Sequence, residues 1–200
     1  MKNKRNLHIF TAAFMAFAFT ACDSDDDNGS TPPGVNDEEV ITDLVLTFEN
    51  PDTQTSDTFT FSDPDGPSGE PPTKDAIILS PGVYILSISV LDASDPNNVE
   101  DLTPEIAEEE ADEHQFFFEL TDSAQDVIAI DYSDQDEDGN PIGQLTTWSV
   151  TAATSDSASV RVTLVHEPDK NAPGANEGIL SNEIGGETDI EVDFQLTITE

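Results

Sequence analysis

Near the C-terminal end of this chain, apolar and polar residues alternate without a break. Ile190, Val192, Phe194, Leu196 and Ile198 are interleaved with Glu191, Asp193, Gln195 and Thr197, and Asp189 stands in front of them. Only extended backbone puts the first set on one face and the second on the other, because side chains of a strand point to opposite sides in turn. On this parity Asp189 faces solvent with the other polar members. The same period recurs upstream. It aligns Leu44, Leu46 and Phe48, then Phe59 and Phe61, then Tyr84, Leu86, Ile88 and Val90 after a Ser80-Pro81-Gly82 turn. It continues in Phe116, Phe118 and Leu120, in Ile128, Ile130 and Tyr132, in Trp148 and Val150, and in Val160, Val162 and Leu164. About nine short strands separated by turn residues predict an all-β fold, an antiparallel β-sandwich of the Ig-like kind. Nothing alternates strand with helix, so a parallel sheet with crossover helices, and with it a doubly wound two-lobed solute-binding fold, is disfavoured.

One segment breaks the period. Thr103-Pro104-Glu105 reads as a helix start, with a hydroxyl cap, proline in the first helical position and acids in the first turn. A short helix is predicted from Glu105 to Glu113, with a thin apolar face of Ile106, Ala107 and Ala111.

Cys22 is the single cysteine, so no disulfide can form within the chain and the body must hold by packing alone. It follows a basic start (Lys2, Lys4, Arg5) and an apolar run from Ile9 to Phe19, in the string Phe19-Thr20-Ala21-Cys22. That is the layout of a bacterial lipoprotein signal. Residues 1–21 are expected to be removed and Cys22 to become a lipidated N-terminus, anchored to a membrane without spanning it. The apolar run is shorter than the ~20 residues of a transmembrane helix. Residues 22–39 carry acids, Gly and Pro without an apolar pattern and read as a flexible tether, leaving 40–200 as one folded domain.

The chain holds 43 acidic and six basic residues. Loss of the signal would remove three of the bases and none of the acids, leaving Lys74, Arg161 and Lys170. So acidic a body repels nucleic acid and anionic headgroups and attracts cations. Apolar residues in periodic segments distinguish it from an acidic disordered chain.

Three constellations bear on chemistry. Glu108, Glu109, Glu110, Asp112 and Glu113 precede His114, and on a helix Glu110 and His114 share a face. Packed carboxylates repel one another unless a cation sits among them, and an imidazole suits a transition metal better than calcium. The alternative is a solvated helix face. Asp134, Asp136 and Asp138, followed by Gly139, match the first half of a calcium loop, but Leu145 occupies the position of its closing acid. Strands on both sides make Asp138-Gly139-Asn140-Pro141 a hairpin connection, with a loose calcium site as the competing reading. His166 continues the inward parity of Val160, Val162 and Leu164. It is either a hydrogen-bonded core residue or, if the fold brings it to His114, part of a metal site with Glu110. Any cofactor is therefore expected to be a divalent cation. No nucleophile-elbow serine or glycine-rich phosphate loop occurs, and no catalytic residue is assigned.

Several strings together resemble a family of small, uncharacterised surface lipoproteins of Bacteroidetes-type bacteria. They are Cys22-Asp23-Ser24-Asp25-Asp26-Asp27, the run from Glu109 to Phe117, Asp138-Gly139-Asn140-Pro141-Ile142-Gly143, the run from His166 to Lys170, and the run from Gly185 to Val192. Members are often labelled "type 1 periplasmic binding fold superfamily protein", a name the strand pattern does not support. The resemblance implies a lipid anchor in the outer membrane. The acidic run from Ser24 to Asp27 resembles an export signal to the cell surface, whereas Asp23 in other bacterial groups marks inner-membrane retention, so the leaflet stays open. It also implies a TonB-dependent outer-membrane transporter as partner. The expected function is a non-enzymatic binding or accessory module in uptake of a nutrient or cation. The alternatives are a structural or adhesive cell-envelope protein and a metal-dependent hydrolase.

Overall fold

The computed structural model describes residues 39–154 and 158–200. Cys22, the signal segment and the tether as far as residue 38 lie outside the described residues. Among the described residues there are eleven strands: β1 (Asp43–Asn50), β2 (Thr55–Ser62), β3 (Thr73–Lys74), β4 (Ile77–Leu79), β5 (Gly82–Asp92), β6 (Glu100–Asp101), β7 (His114–Leu120), β8 (Ile128–Tyr132), β9 (Leu145–Val150), β10 (Ala158–His166) and β11 (Glu187–Ile198). Eight of them are the segments read from alternation. β3, β4 and β6 are two or three residues long, too short to show a period.

Two sheets pack face to face, as an all-β sandwich requires. The larger runs β3-β2-β1-β5-β9-β8, with β6 also on β5, and the smaller runs β4-β11-β10-β7. Every pairing between these strands is antiparallel except β4 with β11. Leu44, Leu46, Phe48, Leu86, Ile88 and Trp148 from one sheet meet Phe116, Val162, Leu164, Phe194 and Leu196 from the other in a single core. Trp148 is fully buried in it, with Phe48 and Phe118 edge-on to its ring at 5.1 and 5.8 Å. Each large apolar side chain buried in this way contributes roughly 1.5–3 kcal/mol, which is how a body without disulfide bridges stays folded.

Part of the outer face of the smaller sheet is covered as well. Phe117 and Val165 point outward by parity and are buried under Ala172, Ala175 and Ile184 from the long connection between β10 and β11. Lys170 fastens that connection. Its ammonium donates to Asp136 Oδ2 at 3.1 Å and to the Ala111 carbonyl.

The predicted helix takes a different form. Residues Glu105–Glu109 make one π-type turn, in which the Glu110 N–H donates to the Glu105 carbonyl five residues back. The chain then turns and His114 opens β7. Thr103 does not cap it, because its hydroxyl accepts the Val90 N–H at 2.9 Å. With the hydroxyl committed to β5, the segment starts at Pro104 without a side-chain cap. Among the described residues no helix is long and apolar enough to cross a membrane.

Candidate metal centre

His114 is the first residue of β7 and His166 the last of β10, and the register pairs them directly. Directly opposed residues lie on one face of a sheet, so both imidazoles enter the same end of the sandwich. Their ring centroids are 4.6 Å apart. The third member comes from an irregularity in β11. Leu164 pairs with Ile190 and Val165 with Thr188, so Asp189 has no opposite number. A bulge of this kind re-aims a side chain. Asp189 is thereby turned from the solvent-facing parity predicted for it, and its carboxylate is only 6% exposed. Asp189 Oδ2 stands 3.7 Å from His114 Nε2, and Oδ1 stands 4.0 Å from His166 Nδ1. The fourth member is Glu39, the last position assigned to the tether. Its side chain is buried, with Oε1 3.9 Å from His114 Nε2.

The backbone around these residues is specialised. Gly186 has φ +78°, and a Cβ there would meet the His166 carbonyl oxygen at 2.4 Å, so only glycine permits this approach. Glu167 leaves β10 with φ +49° and donates its N–H to the Glu113 carbonyl at 2.7 Å, tying the end of β10 to the start of β7.

The protonation pattern at His114 follows from its partners. Nδ1 lies 3.1 Å from the Glu110 carbonyl oxygen, which only accepts, so Nδ1 carries the proton. Nε2 then holds the lone pair in a fully buried ring and has no hydrogen-bond partner. Burial, reinforced by the neighbouring His166, holds this imidazole below its ordinary value, against the opposing pull of the Glu110 carbonyl, Glu39 and Glu113. A neutral imidazole whose lone pair faces two carboxylates is repelled by them, unless a cation stands between. A second nitrogen donating to a backbone carbonyl is how metal-bound histidines are oriented.

The dimensions agree with an ion. One ligand atom from each of Glu39, His114, His166 and Asp189 lies within 4.8 Å of all the others. Ligands 2.0–2.2 Å from a tetrahedral ion stand roughly 3.3–3.6 Å apart, against 3.7, 3.9 and 4.0 Å for three carboxylate–imidazole pairs here. The basic side chains of the described residues are engaged elsewhere: Lys170 with Asp136, Arg161 with Asp193 and Glu191, Lys74 with the Asp193 carbonyl. A cavity of about 720 Å³ opens beside the cluster, with Glu39, Asp189, Ile41, Phe61 and Ile190 in its wall.

The residues singled out from sequence separate into two places. Glu110, His114 and His166 come together, with Glu110 Oε2 3.9 Å from His114 Nδ1. Burial, then Glu39, Glu105 and Glu113, push the Glu110 carboxyl above its usual range. Glu113 reaches His166 at 3.5 Å, while Glu108, Glu109 and Asp112 line a separate cavity with Glu137 and Asp138. The hairpin connection expected around Asp138-Gly139-Asn140-Pro141 joins the antiparallel pair β8 and β9. Asp134 accepts the N–H groups of Gly143 and Leu145, and Asp136 accepts those of Asp138 and Asn140, the Asn140 amide and Lys170. Asp138 is exposed. The oxygens of Asp134 and Asp136 are spent on closing the connection between β8 and β9. Asp189 and Glu39 were not legible as site residues: alternation placed one in solvent, and composition placed the other in a tether.

Comparison with family models, curated proteins and solved structures finds no match for this chain.

Proposed function

We propose that this protein is a lipid-anchored β-sandwich module that captures a divalent transition-metal ion, with His114, His166, Asp189 and Glu39 as ligands. The observation that carries the reading is the His114 ring, whose Nε2 lone pair is buried 3.7 and 3.9 Å from two carboxylate oxygens. Two imidazoles favour zinc and its transition-series neighbours over calcium or magnesium, which prefer oxygen alone. Cys22 supplies the anchor, the acidic body draws cations toward the surface, and the family resemblance supports a TonB-dependent transporter as the neighbour that takes the cargo. The role is binding, without turnover.

Isothermal titration of metal-stripped protein with zinc tests this. One equivalent should bind with heat that persists in physiological salt, and His114→Ala should abolish it. Heat no greater than that of calcium screening the acidic surface would remove the proposal.

A second reading has an observation of its own. The cavity beside Glu39 and Asp189 would admit a small substrate to a metal-bound water, as in a metal-dependent hydrolase. Zinc-loaded protein assayed on ester and phosphate-ester substrates distinguishes the two: turnover lost in His166→Ala favours the hydrolase, and its absence favours the binding module.

A further inference from the structure

We infer that a second cation binds beside the first, held by oxygen donors alone from Glu39, Glu105 and Glu110, with the Glu39 carboxylate bridging the two ions. The inference rests on the metal-binding reading above and adds a site to it.

Ligand oxygens of Glu39, Glu105 and Glu110 lie within 4.8 Å of one another. The Glu39 side chain is 93% buried, being 7% exposed, yet its Oε2 accepts no hydrogen bond among the described residues. The buried Oε2 of Glu110 accepts none either. Leaving buried charged oxygens without donors is costly. An ion held by His114, His166, Asp189 and Glu39 does not relieve Glu110, which is outside that set. It leaves Glu39 with a second oxygen as well, since Oε1 is the one nearest His114.

The π-type turn accounts for the placement. Its wider loop bonds the Glu110 N–H to the Glu105 carbonyl, so both glutamates leave one turn of backbone toward Glu39. Such turns recur at functional sites. Three carboxylates with no nitrogen or sulfur suit a hard ion such as manganese or calcium, and the exposed Glu105 leaves part of the coordination shell to water. Paired ions sharing protein ligands stand about 3.5–4 Å apart in two-metal sites, within the reach of one bridging carboxylate.

The test uses the full chain, stripped of metal, saturated with zinc and then titrated with manganese. Native mass spectrometry reads the stoichiometry and electron paramagnetic resonance reads the manganese environment. One zinc and one manganese per chain are expected. Glu105→Gln/Glu110→Gln should weaken manganese uptake at least tenfold while zinc affinity changes less than threefold, and retained zinc binding shows that the variant is folded. Glu105→Gln alone alters an exposed side chain, so a loss of manganese there cannot come from misfolding. Glu108→Gln/Asp112→Asn should leave uptake unchanged. Zinc-loaded protein that takes up no manganese, or takes it up equally in the double variant, overturns this inference and leaves the first site standing. Protein that binds no zinc at all overturns both.

Discussion

Replacing Lys170 by Met should destabilise the protein far more than loss of a surface charge would. The ammonium is 4% exposed and its partner carboxylate on Asp136 is 1% exposed, with 3.1 Å between them. It also donates to the Ala111 carbonyl, so one side chain joins the β10–β11 connection, the β8–β9 turn and the segment leading to His114. Breaking a buried pair by removing one partner costs roughly 3–5 kcal/mol. Here the low end applies, because Asp136 keeps the donors of Asp138 and Asn140. About 3 kcal/mol is therefore expected. A domain of this size moves about 2–4 °C per kcal/mol, so Tm should fall by about 6–12 °C. Urea unfolding followed by Trp148 fluorescence measures the free energy directly. Lys170→Met/Asp136→Asn should recover at least about 1 kcal/mol of the loss, since it removes the stranded charge along with its partner. Burial pushes the Asp136 carboxyl up, but Asn140 and Lys170 outweigh it and hold the group below its unfolded value of 3.8. Its contribution is thus present above that value and is lost as acid protonates it below. A loss under about 1 kcal/mol for Lys170→Met, the range of an exposed pair, would refute the reasoning.

Other outcomes follow from the same geometry. His114 is held below its unfolded value of 6.5, so the unfolded chain takes up the proton first and metal-free protein should lose stability as pH falls through that value. His114→Gln should flatten this slope between about pH 7.5 and 5.5 in urea titrations; a slope unchanged by the substitution would count against the buried neutral ring. Gly186→Ala should cost at least about 1–2 kcal/mol from its left-handed backbone and should lower zinc affinity, because its Cβ must displace the His166 carbonyl; wild-type thermal stability would contradict this. Zinc at a hundred times its Kd should stabilise the protein by about 2.7 kcal/mol, measured as a shift in the urea midpoint that His114→Ala removes.

How much could be read from the chain depended on what kind of signal each residue carried. The sandwich was legible because strands with one buried face write their period into the sequence, as the run from Ile190 to Ile198 does. His114 and His166 were legible as candidates through residue type, but their pairing is a matter of register between segments some fifty residues apart, which no local pattern encodes. Asp189 was misplaced because a bulge breaks the parity that alternation assumes. Glu39 was misplaced because its burial depends on neighbours in β7 and β11 and not on its acidic surroundings. At Asp134 to Asp138 one spacing served both the hairpin and the cation-loop reading, and the carboxylates of Asp134 and Asp136 accept backbone donors that close the turn.

X-ray absorption at the zinc edge of the loaded protein, compared with His166→Ala, tests the central claim most directly. Two imidazoles and carboxylate oxygens at about 2.0–2.2 Å are predicted for the native chain, with one imidazole lost in the variant. A spectrum of oxygen donors alone, identical in both proteins, would contradict it.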